Sequence, residues 1–385
     1  MTQGNNDGLL AGITVLDMSQ FLAGPMAALR LGDLGARVIK VERPDGGDLC
    51  RRLYLSDTEI GGDSTLFHAI NRGKESFAVN MKDKGDLQDL RTLIGKADVI
   101  IQNFRPGVID RLGLDYASVA KINPRIVYGS ITGYGPDNEW RHFPGQDLLA
   151  QARSGAMWLN GEADDGPVPF GLAVADMLAG NLIVQGILAG LVRRSVTGQG
   201  VHVETSLLEA MIDFQFEVLT THLNDGGRLP KKSSVRNAHA YLSAPYGVYH
   251  CADGWLALAM TPLPKLAPLF ELPALADYTP EEAFSRRDEI KSLIASRLHE
   301  KTVKEWLAIL EPADIWAAEV LDWPKLLKTA AFHQLDMLQT VTRGDGASVH
   351  TTASPIRVDG VRHKNDLAAP TIGSESEKIR AEFLA

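Results

Sequence analysis

Five short runs rich in β-branched residues, Ile13–Asp17, Arg37–Glu42, Ser76–Asn80, Asp98–Gln102 and Arg125–Ile131, lie in the first third of this chain and alternate with helical stretches. Strands separated by helices pair most readily in parallel, and a parallel sheet must have both faces covered. The helical stretches are Pro25–Leu34, Gly85–Ile94 and Tyr116–Lys121. The first opens on proline and is followed by Gly35, the order expected of a helix start and stop. These features predict a doubly wound, Rossmann-like α/β domain. In that architecture ligands bind beyond the carboxyl ends of the strands, so the loops after Asp17, Glu42, Asn80, Gln102 and Ile131 are the places to look for a site.

Further along, Asp147–Gly155 and Val174–Arg194 read as helices, the second carrying Gly180, Gly186 and Gly190, which permit close backbone approach in a buried layer. A long helix is expected from Ser206 to Leu223. The polar, Gly-rich stretch from Asn224 to Ser234 then reads as a linker. Beyond it, Gly247–Cys251 and Trp255–Met260 flank Ala252-Asp253-Gly254 as a hairpin, and helical patterns follow at Pro280–Leu298 and Val303–Leu310. A second, smaller mixed α/β domain is expected there.

The 385 residues suffice for about two domains without disulfide or metal staples. With 39 Lys and Arg against 48 Asp and Glu, the net charge of −9 argues against nucleic acid as a partner. Cys50 and Cys251 stand some two hundred residues apart with no CxxC and no Cys/His cluster, so neither a disulfide framework nor a metal site is expected, and a cytoplasmic location fits. The polar N-terminus, Met1 to Gly8, lacks the features of a signal peptide. The most apolar run, Leu182–Val192, is too short to span a bilayer, and no membrane association is expected.

No GxSxG, HExxH, Walker loop or GxGxxG opening the first helix is present. What stands out instead is a set of strand-end loops, each pairing polar or cationic groups with Gly or Pro: 43–48, 71–74, 103–107 and 132–135. Together they are placed to cradle a phosphorylated ligand, although surface cations on an α/β domain read the same way by composition. Phe104 is placed either to stack on a base or to join the core.

Taken in order, Asp17 through Ala23-Gly24-Pro25, the stretch Gly35 to Pro44, Asn71-Arg72-Gly73-Lys74-Glu75-Ser76, Asn103 to Gly107 with Asp110 to Gly113, and Ile131 to Gly135 resemble the class III coenzyme A transferases. That family includes formyl-CoA:oxalate and carnitine-related transferases, with the α-methylacyl-CoA racemases as relatives. The match is close over roughly the first 260 residues. The resemblance implies a large CoA-binding domain of residues 1–223 with a C-terminal return at 335–385, a small domain at 224–334, and an interlocked homodimer. It implies Asp176, in the apolar Gly-flanked segment 172–180, as a nucleophilic carboxylate that is partly desolvated yet ionised near a helix start. A first-turn acid that merely caps the following helix is the plain structural role for the same residue. The resemblance further implies that Arg43, Lys74, Asn103, Phe104, Arg111 and Tyr134 line the coenzyme, with Arg72 and Arg105 as secondary phosphate candidates.

Coenzyme A or acyl-CoA enters as a co-substrate, with no tightly bound cofactor, and a small carboxylic acid is the other substrate. Two departures argue against formyl-CoA and oxalate. Leu22 stands where the formyl-CoA enzymes have Gln, and 237–246 lacks their glycine run. A larger acyl group is expected, with Asn237, His239 or Tyr241 as possible contacts. Two other activities compete. A racemase needs a second proton carrier, yet Gln146 occupies the place of its His, leaving His142 as a substitute. A non-catalytic CoA-binding protein would keep the fold without turnover.

Overall fold

The computed structural model describes residues 8–55 and 57–384, so the polar segment Met1–Asp7 lies outside the described residues. The chain divides into two compact units. One comprises 1–150, 173–214 and 334–385, and the other 151–172 and 215–333. The smaller unit thus begins at 215 and also takes in 151–172, where linker chemistry had suggested a start at 224. Segment 151–172 carries no strand or sheet-covering helix. Several of its groups bond instead to the linker and the residues after it: Ala163 N–H donates to the Ser233 carbonyl (3.0 Å), Lys232 Nζ to the Asn160 carbonyl (2.8 Å) and Asn237 Nδ2 to the Gly161 carbonyl (2.8 Å).

The first unit is built on six parallel strands: β1 (Thr14–Asp17), β2 (Arg37–Glu42), β3 (Lys74–Ala78), β4 (Val99–Gln102), β5 (Val127–Thr132) and β6 (Val201–Ser206). Their order is β3-β2-β1-β4-β5-β6, the doubly wound arrangement, which reverses direction between β1 and β4. Five of the six match expected strands within a few residues. The sixth, β6, pairs with β5 along six residues, Val127 with Val201 through Thr132 with Ser206. It lies just ahead of the expected helix at Ser206 and is not among the expected strands, although Val201, Val203 and Thr205 alternate with His202 and Glu204 at a strand's period of two.

Successive strand residues face opposite sides of the sheet. On one side Leu16, Ile39, Phe77, Ile100 and Tyr128 form a core with Leu90, Leu93 and Ile94 of α2 (Lys84–Ile94) and Val119 of α3 (Tyr116–Ile122). Each fully buried Leu or Ile there contributes about 2 kcal/mol. The other side is covered by α1 (Ala23–Asp33) and α4 (Val174–Thr197). By length and hydropathy α4 resembles a membrane span, longer than the run expected at 182–192. It serves here as the crossover helix between β5 and β6. A Cβ at Gly186 would run into Val203, so glycine is what lets the helix settle on the strands.

Beyond β6 the expected long helix is two, α5 (Leu207–Asp213) and α6 (Phe216–Asn224), and the break at Phe214–Gln215 is where the chain leaves the first unit. Ser206 ends β6 and caps α5 by accepting from Glu209 N–H at 3.1 Å. The C-terminal segment returns to the first unit. Its α8 (Ser376–Phe383) buries Ile379 in the same core, and Glu375 and Ser376 accept from the exposed-edge amides of Ser76 (2.7 Å) and Ala78 (3.0 Å) on β3. This satisfies a sheet edge that would otherwise invite pairing with another chain.

The second unit has a three-stranded antiparallel sheet, β7 (Gly247–His250), β8 (Trp255–Leu258) and β9 (Ala317–Glu319), in the order β9-β8-β7. The expected hairpin is present as β7 and β8. Its core centres on Trp306, Tyr249 and Phe270, packed against α7 (Arg287–Leu298). Trp306 is fully buried, and its indole N–H donates to the Leu298 carbonyl at 2.8 Å, so no polar atom is stranded.

Candidate active site

Where the strand order reverses, a cleft of about 350 Å³ opens at the carboxyl ends of β1 to β4. Its walls include Ser19 and Gln20 after β1, Arg43 after β2, Lys82 after β3, and Phe104 and Arg111 after β4. Arg43, Lys82 and Arg111 are exposed, giving a rim of three cations around a largely apolar floor. Phe104 is half-buried against the sheet core and still lines the cleft. Arg43, Phe104 and Arg111 were expected in such a place. Lys82 was not named, although it sits in one of the strand-end loops singled out for a site.

The remaining candidates have other work. Lys74 is buried and its ammonium is spent on Asp17 Oδ2 (2.7 Å), the Pro25 carbonyl (2.8 Å) and Asn71 Oδ1 (2.8 Å). Arg72 is buried in a two-pronged ion pair with Asp33, at 2.6 and 3.1 Å. Neither lines the cleft, so here the two expected coenzyme cations are held by acids of their own fold. A cation at a strand end finds an acid in its own fold at no cost in ligand, and sequence spacing does not reveal the acid. Asn103 clamps the loop after β1, accepting from Gln20 N–H (2.8 Å) and donating to the Gln20 carbonyl (2.7 Å), so it fastens two cleft walls together. Tyr134 is buried and donates to the Pro144 carbonyl at 3.1 Å. Arg105 is exposed and outside the cleft lining.

Behind the cleft lies a charge-balanced cluster. Lys40 pairs with Asp48 at 2.8 Å and Asp17 at 3.7 Å, and its Nζ also donates to the Ser19 carbonyl at 3.1 Å. Ser19 donates its hydroxyl to Asp17 Oδ1. Burial by itself would raise the Asp17 carboxyl, but Lys40 and Lys74 more than offset this and hold it down at about 2. Asp17 is a framework anion that fixes the loop Met18–Gln20.

Asp176 stands in the first turn of α4, at the same carboxyl end of the sheet. The direction of α4 follows from its neighbours: Gly180 abuts Ala23, just past β1, whereas Gly190 abuts Val127 and Val201 at the strand starts. Ala173 offers no side-chain cap. Asp147 supplies it from afar, its Oδ1 accepting from the N–H groups of Ala175 (2.7 Å) and Asp176 (3.2 Å). Asp147 is brought there because Gly133 and Gly145 pass so closely that a Cβ on either would lie 2.5 Å from the other's Cα. Capping therefore falls to Asp147, and among the described residues the Asp176 carboxylate has no hydrogen bond and no ion pair. Desolvation first, and then the charge of Asp147, push the Asp176 carboxyl up to about 7. The expected carboxylate is thus desolvated as foreseen, but the helix-start amides meant to keep it ionised are taken. At neutral pH it is poised near half ionisation.

In the second unit, Asn237 uses its amide on Ser233 N–H (3.1 Å) and the Gly161 carbonyl (2.8 Å), and His239 Nδ1 accepts from Tyr241 N–H (3.2 Å). The Tyr241 hydroxyl is buried without a hydrogen-bond partner. His142 is exposed. Among the described residues no group of three or more His, Cys, Asp or Glu is arranged to hold a metal ion, and both cysteines are buried and unpaired.

Comparison with known proteins places this arrangement in context. The model of CoA-transferase family III matches residues 10–376. Acetyl-CoA:oxalate CoA-transferase of Acetobacter aceti is 30% identical, with 100% of this chain and 98% of that protein aligned. Succinyl-CoA:glutarate CoA-transferase of Mus musculus is 30% identical over 97% of this chain and 86% of its own. A CAIB/BAIF family protein from Brucella suis has a crystal structure that superposes with a TM-score of 0.85 at 30% identity, covering 98% of this chain and 99% of that one.

Proposed function

This chain belongs to CoA-transferase family III, and from that membership we propose that it transfers coenzyme A from an acyl-CoA to a free carboxylic acid, with Asp176 as the nucleophile. The observation that carries the reading is a carboxylate that among the described residues has no ion pair and no hydrogen bond, at the carboxyl end of the sheet, with its carboxyl pushed up to about 7. A more basic carboxylate is a stronger nucleophile once ionised, and here the ionised fraction at neutral pH is substantial.

In this scheme a carboxylate oxygen of Asp176 attacks the thioester carbonyl, the C–S bond breaks, and the coenzyme A thiolate leaves behind a mixed anhydride. The thiolate returns to the aspartyl carbonyl, expelling the donor acid as its carboxylate and leaving an aspartyl-CoA thioester. The acceptor carboxylate attacks that thioester, and the released thiolate takes the new acyl group from the second anhydride. Asp176 is regenerated as a carboxylate. Splitting acyl exchange into these steps replaces one difficult reaction by several easier ones.

Coenzyme A is the co-substrate, and the cleft supplies its binding groups. Arg43, Lys82 and Arg111 suit phosphate oxygens, and the face of Phe104 suits adenine. Lys74, Arg72 and Asn103 act as the frame on which these groups are mounted. The racemase alternative gains nothing from the geometry, since Asp147 spends Oδ1 on the α4 amides and His142 is exposed. The family resemblance also leads us to propose a homodimer, which a stable monomer in sedimentation would remove.

The test is intact mass after incubation with acetyl-CoA or succinyl-CoA, each with a panel of acids. A hydroxylamine-sensitive adduct on the wild type, absent from Asp176→Ala, is expected together with acid-dependent CoA exchange. Exchange at the wild-type rate by Asp176→Ala would end the proposal. Deuterium washing into the α-position without exchange would favour the racemase.

A further inference from the structure

Three adjacent strands carry a line of polar side chains on one face of the sheet, buried where an apolar residue would be expected. Gln102 ends β4, Ser130 lies directly opposite it on β5, and His202 on β6 is the diagonal neighbour of Ser130. Gln102 and Ser130 are buried, and His202 is partly buried. Phe104 N–H donates to Gln102 Oε1 at 2.8 Å, Gln102 Nε2 donates to Ser130 Oγ at 3.0 Å, and Ser130 Oγ lies 2.8 Å from His202 Nε2.

The backbone sets the orientation of the Gln102 amide. Phe104 N–H can only donate, so the Gln102 oxygen faces it and the amide nitrogen faces Ser130. Ser130 Oγ accepts from that nitrogen and shares a further hydrogen bond with His202 Nε2, whose direction follows the imidazole tautomer. On the other side of the ring Glu204 Oε2 lies 3.6 Å from Nδ1. Tyr116 of α3 stacks on the ring, with centroids 4.9 Å apart and planes 18° apart, and Tyr128 of β5 meets it edge-on at 5.4 Å. Burial favours the neutral imidazole, against the opposing pull of Glu204. Linked hydrogen bonds of this kind, away from bulk water, rigidify what they touch.

We infer that Gln102, Ser130 and His202 are positioning residues for coenzyme binding: they hold the backbone of Phe104 so that its ring stays presented to the cleft. This rests on the reading of that cleft as the coenzyme site. Gln102 is the member that touches the Phe104 backbone, and Ser130 and His202 act through it. Neighbouring Asn103 fastens the same turn to Gln20, so consecutive side chains tie the cleft wall in two directions, one to the β1 loop and one across the sheet.

A double-mutant cycle read by calorimetric titration with free coenzyme A tests this. Gln102→Met keeps length and removes both hydrogen bonds, and we expect affinity to fall about fivefold, the worth of one ordinary hydrogen bond. His202→Phe keeps the stack on Tyr116 and removes the hydrogen bond to Ser130, and about a twofold loss is expected from this more distant member. In a Phe104→Ala background Gln102→Met should cost nothing further, because the ring it presents is gone. A merely structural role would not show that dependence. Unaltered coenzyme affinity in both folded Gln102→Met and His202→Phe, or an equal loss with and without Phe104, would overturn the inference. If Phe104→Ala itself binds coenzyme A normally, the cleft reading falls first, and that result is distinct from the others. Should Gln102→Met fail to fold, the His202→Phe arm of the cycle decides alone.

Discussion

Asp17 ends β1 and Asp176 opens α4, both at the carboxyl end of one parallel sheet, yet their carboxyls move in opposite directions, to about 2 and about 7. Burial acts on both in the same sense. The difference lies in what accompanies it. Asp17 has Lys40, Lys74 and the Ser19 hydroxyl around it, whereas among the described residues Asp176 has only the charge of another acid, Asp147, acting on it. In the mechanism proposed above, withholding cations from one aspartate while supplying two to the other is what separates the nucleophile from the framework acid.

Removing each carboxylate separates these roles most sharply. Asp176→Ala should lower acid-dependent CoA exchange on the order of 10⁶-fold, the scale seen when a covalent nucleophile is lost, while the fold persists. A rate within tenfold of wild type would break the comparison. Asp17→Asn should instead leave two buried ammonium groups undercompensated and cost about 3–5 kcal/mol in urea unfolding. A loss under about 1 kcal/mol would show that Asp17 is not the anchor described.

The pH dependence should carry opposite signs. The folded Asp17 carboxyl lies below its unfolded value of about 3.9, so its contribution, on the order of 2 kcal/mol, is present above pH 4 and lost as pH falls toward 2. The folded Asp176 carboxyl lies above that value, so folded protein binds more protons between about pH 4 and 7. The Asp176 contribution to stability should therefore decline as pH rises through that window, and Asp176→Asn should remove the decline, gaining about 4 kcal/mol at pH 8. Thermal melts of both proteins at pH 4 and 8 measure it. Equal differences at the two values would contradict the raised carboxyl.

The smallest effect sharpens the cause. Asp147→Asn keeps an oxygen to cap Ala175 and Asp176 but removes the charge. The acid limb of the pH–rate profile for exchange should move down by about one pH unit or less, since desolvation remains. No movement would assign the raised carboxyl to burial alone.

Much of this site was legible before any coordinates. Strand ends after Glu42 and Gln102 were marked as loops for a ligand, and Arg43, Phe104 and Arg111 do line the cleft. Asp176 was singled out only through family resemblance, since an acid in a helix's first turn is ordinarily a cap. Lys82 lies in the loop after Asn80, one of the strand ends marked for a ligand, but outside the four loops that pair polar or cationic groups with Gly or Pro. In the sequence Asp147 reads only as the start of a helix, and its tie to the α4 amides spans 28 residues.

Alternation of short apolar strands with helices is a local property, readable at a period of a few residues, and it by itself determined a parallel, doubly wound sheet with its ligand loops at one end. Which cations stay free was decided by tertiary structure alone. Lys74 and Arg72 look no different from Arg43 or Lys82 in the sequence, and only folding brings Asp17 and Asp33 to the first pair while leaving the second exposed. The ionisation of Asp176 was decided in the same way, because desolvation and the field of a distant carboxylate arise from packing rather than from neighbours along the chain.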